Sequence, residues 1–204
     1  MTQKSFLILL LILLTLATLW SVLRPHDYPT WFLEAAPAIV GWIVLRVTYR
    51  RFPFTPVVYV TIFLHSLILL IGAHYTYAEV PFVKEFTNFF FKTDRNHFDR
   101  LGHFFQGFTP ALIARELLLR TSPLKQGKWL KTIVVAICLA ISALYELLEW
   151  LTAVLSESGS VAFLATQGDV WDTQKDMAMC GLGAIVALLC FSHLQDKQLQ
   201  SIQK

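Results

Sequence analysis

The chain has 204 residues, of which 55% are hydrophobic and 15% charged, with a formal net charge of +3. Soluble domains carry roughly 25% charged residues, and helices as apolar as these leave a soluble all-α protein too few polar faces. The expected class is an all-α polytopic membrane protein of six transmembrane helices. Its small positive charge is an insertion signal rather than evidence for nucleic-acid binding, and its surroundings are membrane lipid.

The first span is Ser5–Leu23. Its apolar run exceeds the 7–15 residues usual for the core of a cleaved leader, and "LWSVLRPHDYP" offers no small-x-small cleavage site. A retained first helix is therefore expected. Trp31–Tyr49 follows, carrying Glu34 near its start and Arg46 near its end. The third span, Thr55–Tyr77, holds His65 in "IFLHSLILL" and finishes on "GAHYTY", which contains His74. His65 reads first as a histidine bonded to a neighbouring helix, and second as a proton relay.

The segment from residue 78 to 98 is too polar to span. In "VPFVKEFTNFFFKTDRN", Phe82, Phe86, Phe89 and Phe90 stand near helical spacing. Two readings remain open: an interfacial helix, or an irregular loop anchored by its aromatic rings. The fourth span, Leu101–Leu119, carries His103, Gln106 and Arg115, so its assignment rests partly on context. Trp129–Leu155 and Gln174–Leu194 complete the set. Gly181 and Gly183, with neighbouring alanines, suit the sixth helix to close packing. Cys138, Cys180 and Cys190 all lie in apolar runs without metal-ligand spacing and read as small hydrophobes.

Most of the 17 lysines and arginines fall on one side if the amino terminus is cytoplasmic. Arg46, Arg50 and Arg51, the group from Arg115 to Lys131, and the tail lysines Lys197 and Lys204 then share the inner face with Lys4. Both termini are expected in the cytoplasm. This orientation brings His74, Asp99 with His103, Glu146 with Glu149, and Asp172 with Asp176 to the outer leaflet. Within each pair the i,i+3 or i,i+4 spacing puts both groups on one helix face. Ionisable groups at this depth face a bundle interior or a wet cavity, because lipid penalises them.

Carboxylates crowded in low dielectric repel one another unless protonated, paired or bridged by a cation. Mixed histidine and carboxylate donors suit a divalent metal such as Zn²⁺, Mn²⁺ or Fe²⁺. The expected ligands are Asp99, His103, Glu146 and Asp176, with His74 as a further candidate. Glu149 or Asp172 is then the general base. Two alternatives stay open: a salt-bridge cluster that only holds helices together, and an ion path. There is no Gly-rich phosphate loop, haem motif or HExxH, and no serine has the partners of a nucleophile.

"HFDRLGHFFQGF", "YELLEW" and "GDVWDTQKDM" resemble the signature blocks of the bacterial YjdF family of inner-membrane proteins, over nearly the whole chain. That resemblance implies an address and a topology but no activity. A more distant likeness is to VanZ-like membrane proteins. In these, an aspartate and a histidine four apart open one helix, and a glutamate lies late in the next. An aspartate and an asparagine four apart then precede a glycine-rich helix. Asp176 stands here in place of that asparagine. The likeness implies chemistry at the outer leaflet. The leading expectation is a metal-dependent enzyme acting on a lipid or lipid-linked envelope substrate. A small-solute transporter and a structural or assembly protein are the rivals.

Overall fold

The computed structural model describes residues 3–92, 94–155 and 167–202; Lys204 lies outside them. Among the described residues, eight α-helices run in the order α1 (Gln3–Val22), α2 (Tyr28–Thr48), α3 (Pro56–Tyr75), α4 (Val83–Phe91), α5 (Phe98–Thr121), α6 (Lys128–Leu155), α7 (Asp172–Cys190) and α8 (Ser192–Ile202). A 3-10 turn, Tyr77–Glu79, follows α3. Among the described residues there is no strand. The protein is all-α.

Among the described residues, five helices are long and apolar enough to cross a membrane: α1, α2, α3, α6 and α7. α1 shows why. Only Leu10, Leu14 and Ser21 are buried along its 20 residues, and its leucines point outward on every other face. A helix apolar all round has a hydrocarbon solvent. α5 is equally long, at 24 residues, but does not meet that composition, since it carries Asp99, Arg100, Arg115, Glu116 and Arg120. Its position explains the tolerance. α5 packs against α3, α6 and most extensively α7, so its polar groups face protein.

Helix ends follow local chemistry. Asp27 caps α2, its Oδ2 accepting from the Thr30 amide at 2.8 Å, with a proline in the first turn. Hydrogen bonding from the Thr30 side chain, and then from its amide, holds the Asp27 carboxyl below the usual carboxylate range. At the start of α3, Thr55 gives both its amide and its hydroxyl to Glu116 of α5, at 3.1 and 2.7 Å. Arg120 at 2.9 Å and the Gln195 amide at 3.2 Å complete the shell around this fully buried carboxylate. The sixth apolar run does not continue as one helix to Leu194. α7 ends at Cys190 and α8 begins at Ser192, which lets Gln195 donate to the Leu112 carbonyl at 2.8 Å. Residues 83–91 form a helix, α4, whose Phe82, Phe86, Phe89 and Phe90 are exposed.

α5 and α7 touch backbone to backbone. A Cβ on Gly107 would collide with the Cys180 carbonyl, and one on Gly183 with the Phe104 carbonyl. Small residues permit this approach. Gly181 plays a lesser part, since a Cβ there would meet only the end of Leu139 at 3.3 Å.

α1 packs along α3 with Ser21, near its end, bonding the Leu70 carbonyl late in α3, so the start of α1 lies by the start of α3. α8 packs on the start of α3 and the end of α5. The start of α1 and α8 therefore lie at one end of the bundle. The end of α3, the start of α5, the last third of α6 and the start of α7 lie at the other.

Candidate metal centre and cavity

The register set by the α5–α7 crossing decides which side chains meet. Asp99 and His103 stand two turns and one turn before Gly107 on α5, and Asp176 stands two turns before Gly183 on α7. Asp99, His103 and Asp176 each offer one ligand atom within 4.8 Å of the others, and all three are buried. His103 Nε2 is 3.5 Å from Asp99 Oδ1 and 3.7 Å from Glu146 Oε1, which adds α6 to the group. His103 Nδ1 lies 3.1 Å from Gln106 Oε1. With that amide oxygen as acceptor, Nδ1 is the donor, and Nε2 is the atom aimed at the carboxylates. Glu146 Oε1 and Asp176 Oδ1 are buried without a hydrogen-bond partner.

A second charged layer covers the first. Arg95, just before α5, pairs closely with Asp172 and lies 3.8 Å from Asp169 and 3.9 Å from Asp99. Arg100 and Lys175 both bond Asp169, at 2.9 and 2.6 Å. The hydrogen bond from Lys175 holds the Asp169 carboxyl below its ordinary range. Asp99 thus belongs to both layers, one oxygen toward arginine and the other toward histidine. His97, at the start of α5, is kept below the usual imidazole range by burial and then by Arg100 and Arg95.

The loops that lead into α5 and α7 are fastened together. Asn96 is buried, and its side chain caps the Phe98 amide at 3.0 Å while donating to the Val80 carbonyl at 2.9 Å. Gln167 bonds both the amide and the carbonyl of Asn96, each at 2.9 Å. Neither residue stood out in the sequence, because an amide that pairs with backbone has no spacing signature.

Not every expected residue joins the centre. His74 turns to α1 instead. Its Nδ1 is 3.0 Å from the Ser21 carbonyl, and its ring stacks on Trp20 at 4.4 Å. Asp172 faces Arg95. Glu149 faces a cavity of about 210 Å³ that adjoins the centre and is also lined by Glu34, His65, Tyr77, Asp99 and Tyr145. His65 makes no bond to a neighbouring helix among the described residues. It lines this cavity and meets Phe105 ring to ring at 6.3 Å. Glu34 is 1% exposed, and neither of its carboxylate oxygens has a partner.

Comparison with known proteins gives a family without a chemistry. Residues 6–197 match the family model described as "Predicted membrane protein (DUF2238)". The chain is 43% identical over 187 residues to the inner membrane protein YjdF of Escherichia coli (strain K12), covering 92% of this chain and 89% of that protein. No solved structure matches. The chain belongs to the DUF2238 family of membrane proteins.

Proposed function

We propose that this protein is a metal-dependent enzyme of the inner membrane that acts on a lipid or lipid-linked envelope substrate. The observation that carries this reading is His103. With Gln106 Oε1 accepting from Nδ1, Nε2 is the atom directed at Asp99 and Glu146, and Asp176 completes the group. Three carboxylates gathered at one imidazole nitrogen call for positive charge among them, and a bound divalent cation supplies it. An outer-shell carbonyl on the far nitrogen is also the usual way a ligating histidine is oriented.

Asp99, His103 and Asp176 are the ligands, and Glu146 is the fourth donor. A divalent cation bound there supplies charge neutralisation and lowers the pKa of a bound water. Glu149 is the general base, because it opens on the cavity and Asp172 is committed to Arg95. Arg95, Arg100 and Lys175 hold the remaining acids in place.

The proposed topology is six spans, α5 crossing together with α1, α2, α3, α6 and α7, with both termini cytoplasmic and the centre beneath the periplasmic surface. The distribution of lysine and arginine supports it. An inner-membrane address is supported by the E. coli relative. A transporter would need polar groups free to continue the path. At the opposite end Glu116, Thr55, Arg120 and Gln195 instead bond one another.

One specific observation favours a second reading. The separations of 3.5 and 3.7 Å around Nε2 are also ion-pair distances, which a protonated His103 would satisfy without any metal. Elemental analysis of purified protein separates the two. The enzyme reading expects close to one equivalent of a transition metal, removed by chelation, regained on titration and absent from Asp176→Asn. No metal bound before or after titration leaves the salt-bridge cluster.

A further inference from the structure

α2 and α5 both pack on α3, but they barely touch one another. The result is a groove with α3 as its floor, open at the outer surface of the bundle between α2 and α5. It holds a cavity of about 470 Å³ lined by Ala38, Val44, Leu45, Phe52, Ile113 and Leu117, among others. Pro37, His65, Leu69 and Pro110 line both this cavity and the polar one beside the metal centre. The two spaces are therefore neighbours along a single trough, acidic at one end and hydrocarbon at the other.

Its dimensions fit a chain. The lining runs on α2 from Glu34 to Thr48, which spans about 21 Å at 1.5 Å per residue. One leaflet of hydrocarbon is about 15 Å deep, half the roughly 30 Å core. The trough is long, narrow and apolar below Pro37, with Gly41 adding width, since a Cβ there would meet nothing within 4 Å. At the top, Glu34 is almost completely buried and both its oxygens lack a donor. A buried carboxyl without a donor is costly. Pro37 and Pro110, which line both spaces, each lack the amide that would bond the carbonyl four residues earlier.

We propose that the α2–α5 groove holds an alkyl chain of a membrane lipid whose hydrogen-bond-donating headgroup reaches Glu34, beside the Asp99–His103–Asp176 centre. This rests on the lipid-substrate reading above and narrows it: the lipid enters sideways from the bilayer between α2 and α5, not from the aqueous face. An ammonium head and a hydroxyl head share the required chemistry, whereas a choline head has no donor.

The test is photolabelling of the full chain in nanodiscs with phospholipids that carry a diazirine in one acyl chain, followed by peptide mapping. Ethanolamine, glycerol and choline headgroups form the three arms. Label is expected on the α2 and α5 peptides that contain Val44 and Ile113, about tenfold stronger for ethanolamine or glycerol than for choline, one tenfold step being 1.4 kcal/mol. Gly41→Phe fills the groove and is expected to abolish that label with metal content unchanged; Val44→Trp is the second variant should the first fail to fold. Label spread evenly over outward leucines such as Leu147 and Leu151 of α6, indifferent to headgroup and to both variants, overturns the groove and leaves the metal centre standing. Gly41-sensitive label on a protein that binds no metal supports the groove and removes the metal centre instead.

Discussion

His103 Nδ1 lies 3.1 Å from the side-chain oxygen of Gln106, one helical turn further along α5. This contact fixes the ring's rotation and leaves Nε2 for the acids. Outer-shell partners of ligating histidines typically contribute about 10–100-fold to metal affinity. Gln106→Leu is therefore expected to weaken metal binding by about that factor in a calorimetric titration, with thermal stability little changed. Gln106→Glu, which can still accept from Nδ1, is expected to retain binding. Equal affinity in wild type and Gln106→Leu would detach the histidine from the proposed role.

The crossing of α5 and α7 makes a separate demand. A methyl on Gly107 or Gly183 meets backbone carbonyls, which cannot swing aside. Overpacking of a tight interface typically costs about 1–3 kcal/mol and sometimes more. Gly107→Ala and Gly183→Ala are expected to lower the denaturation midpoint markedly and to disturb metal binding together with it. Gly181→Ala, facing the movable end of Leu139, is expected to behave as wild type. The comparison of the three melting curves checks the crossing directly.

Arg95 and Asp172 form a pair whose side chains are 9% and 7% exposed. Removing one member of a buried pair strands the other, at a typical cost of about 3–5 kcal/mol. Arg95→Gln is expected to destabilise strongly, and Asp172→Asn to restore most of the loss when combined with it. A double-mutant cycle by thermal or denaturant unfolding measures that coupling. Independent, additive effects would mean that Arg95 serves the other acids rather than Asp172.

Acid titration separates the cap of α2 from the rest of the bundle. The folded-state pKa of Asp27 is depressed from 3.8 by the Thr30 hydrogen bonds. The stability it contributes is therefore present above 3.8 and is lost as pH falls through the lower folded value. Asp27→Ala is expected to cost about 1 kcal/mol at neutral pH, as N-caps typically do. The gap between the two proteins should narrow in paired melting curves as pH falls through that lower folded value.

How far the string of residues foretold this arrangement depends on the physical quantity. Depth was legible, because a run such as Ser5–Leu23 or Thr55–Tyr77 fixes how far each residue lies from a helix end. Rotation about the helix axis was legible only where a helix has a polar stripe. α5 and α7 have one, in Asp99 with His103 and in Asp172 with Asp176. α3 is apolar on nearly every face, so nothing in its sequence said that His74 turns to Ser21 and Trp20 while His65 turns to the cavity. Gly107 was hidden for a related reason. A lone glycine among phenylalanines has no periodicity, and its meaning appears only when Cys180 of α7 lies against it. The pairing of Asp172 with Arg95 joins residues 77 positions apart, beyond the reach of any local pattern.

X-ray absorption at the edge of the bound metal tests the central claim most directly. The account predicts a shell of nitrogen and oxygen donors at about 2.0–2.2 Å, the range for zinc, including one imidazole whose multiple-scattering signature disappears in His103→Ala. A protein that takes up no metal, or one whose spectrum is the same with and without His103, would contradict it.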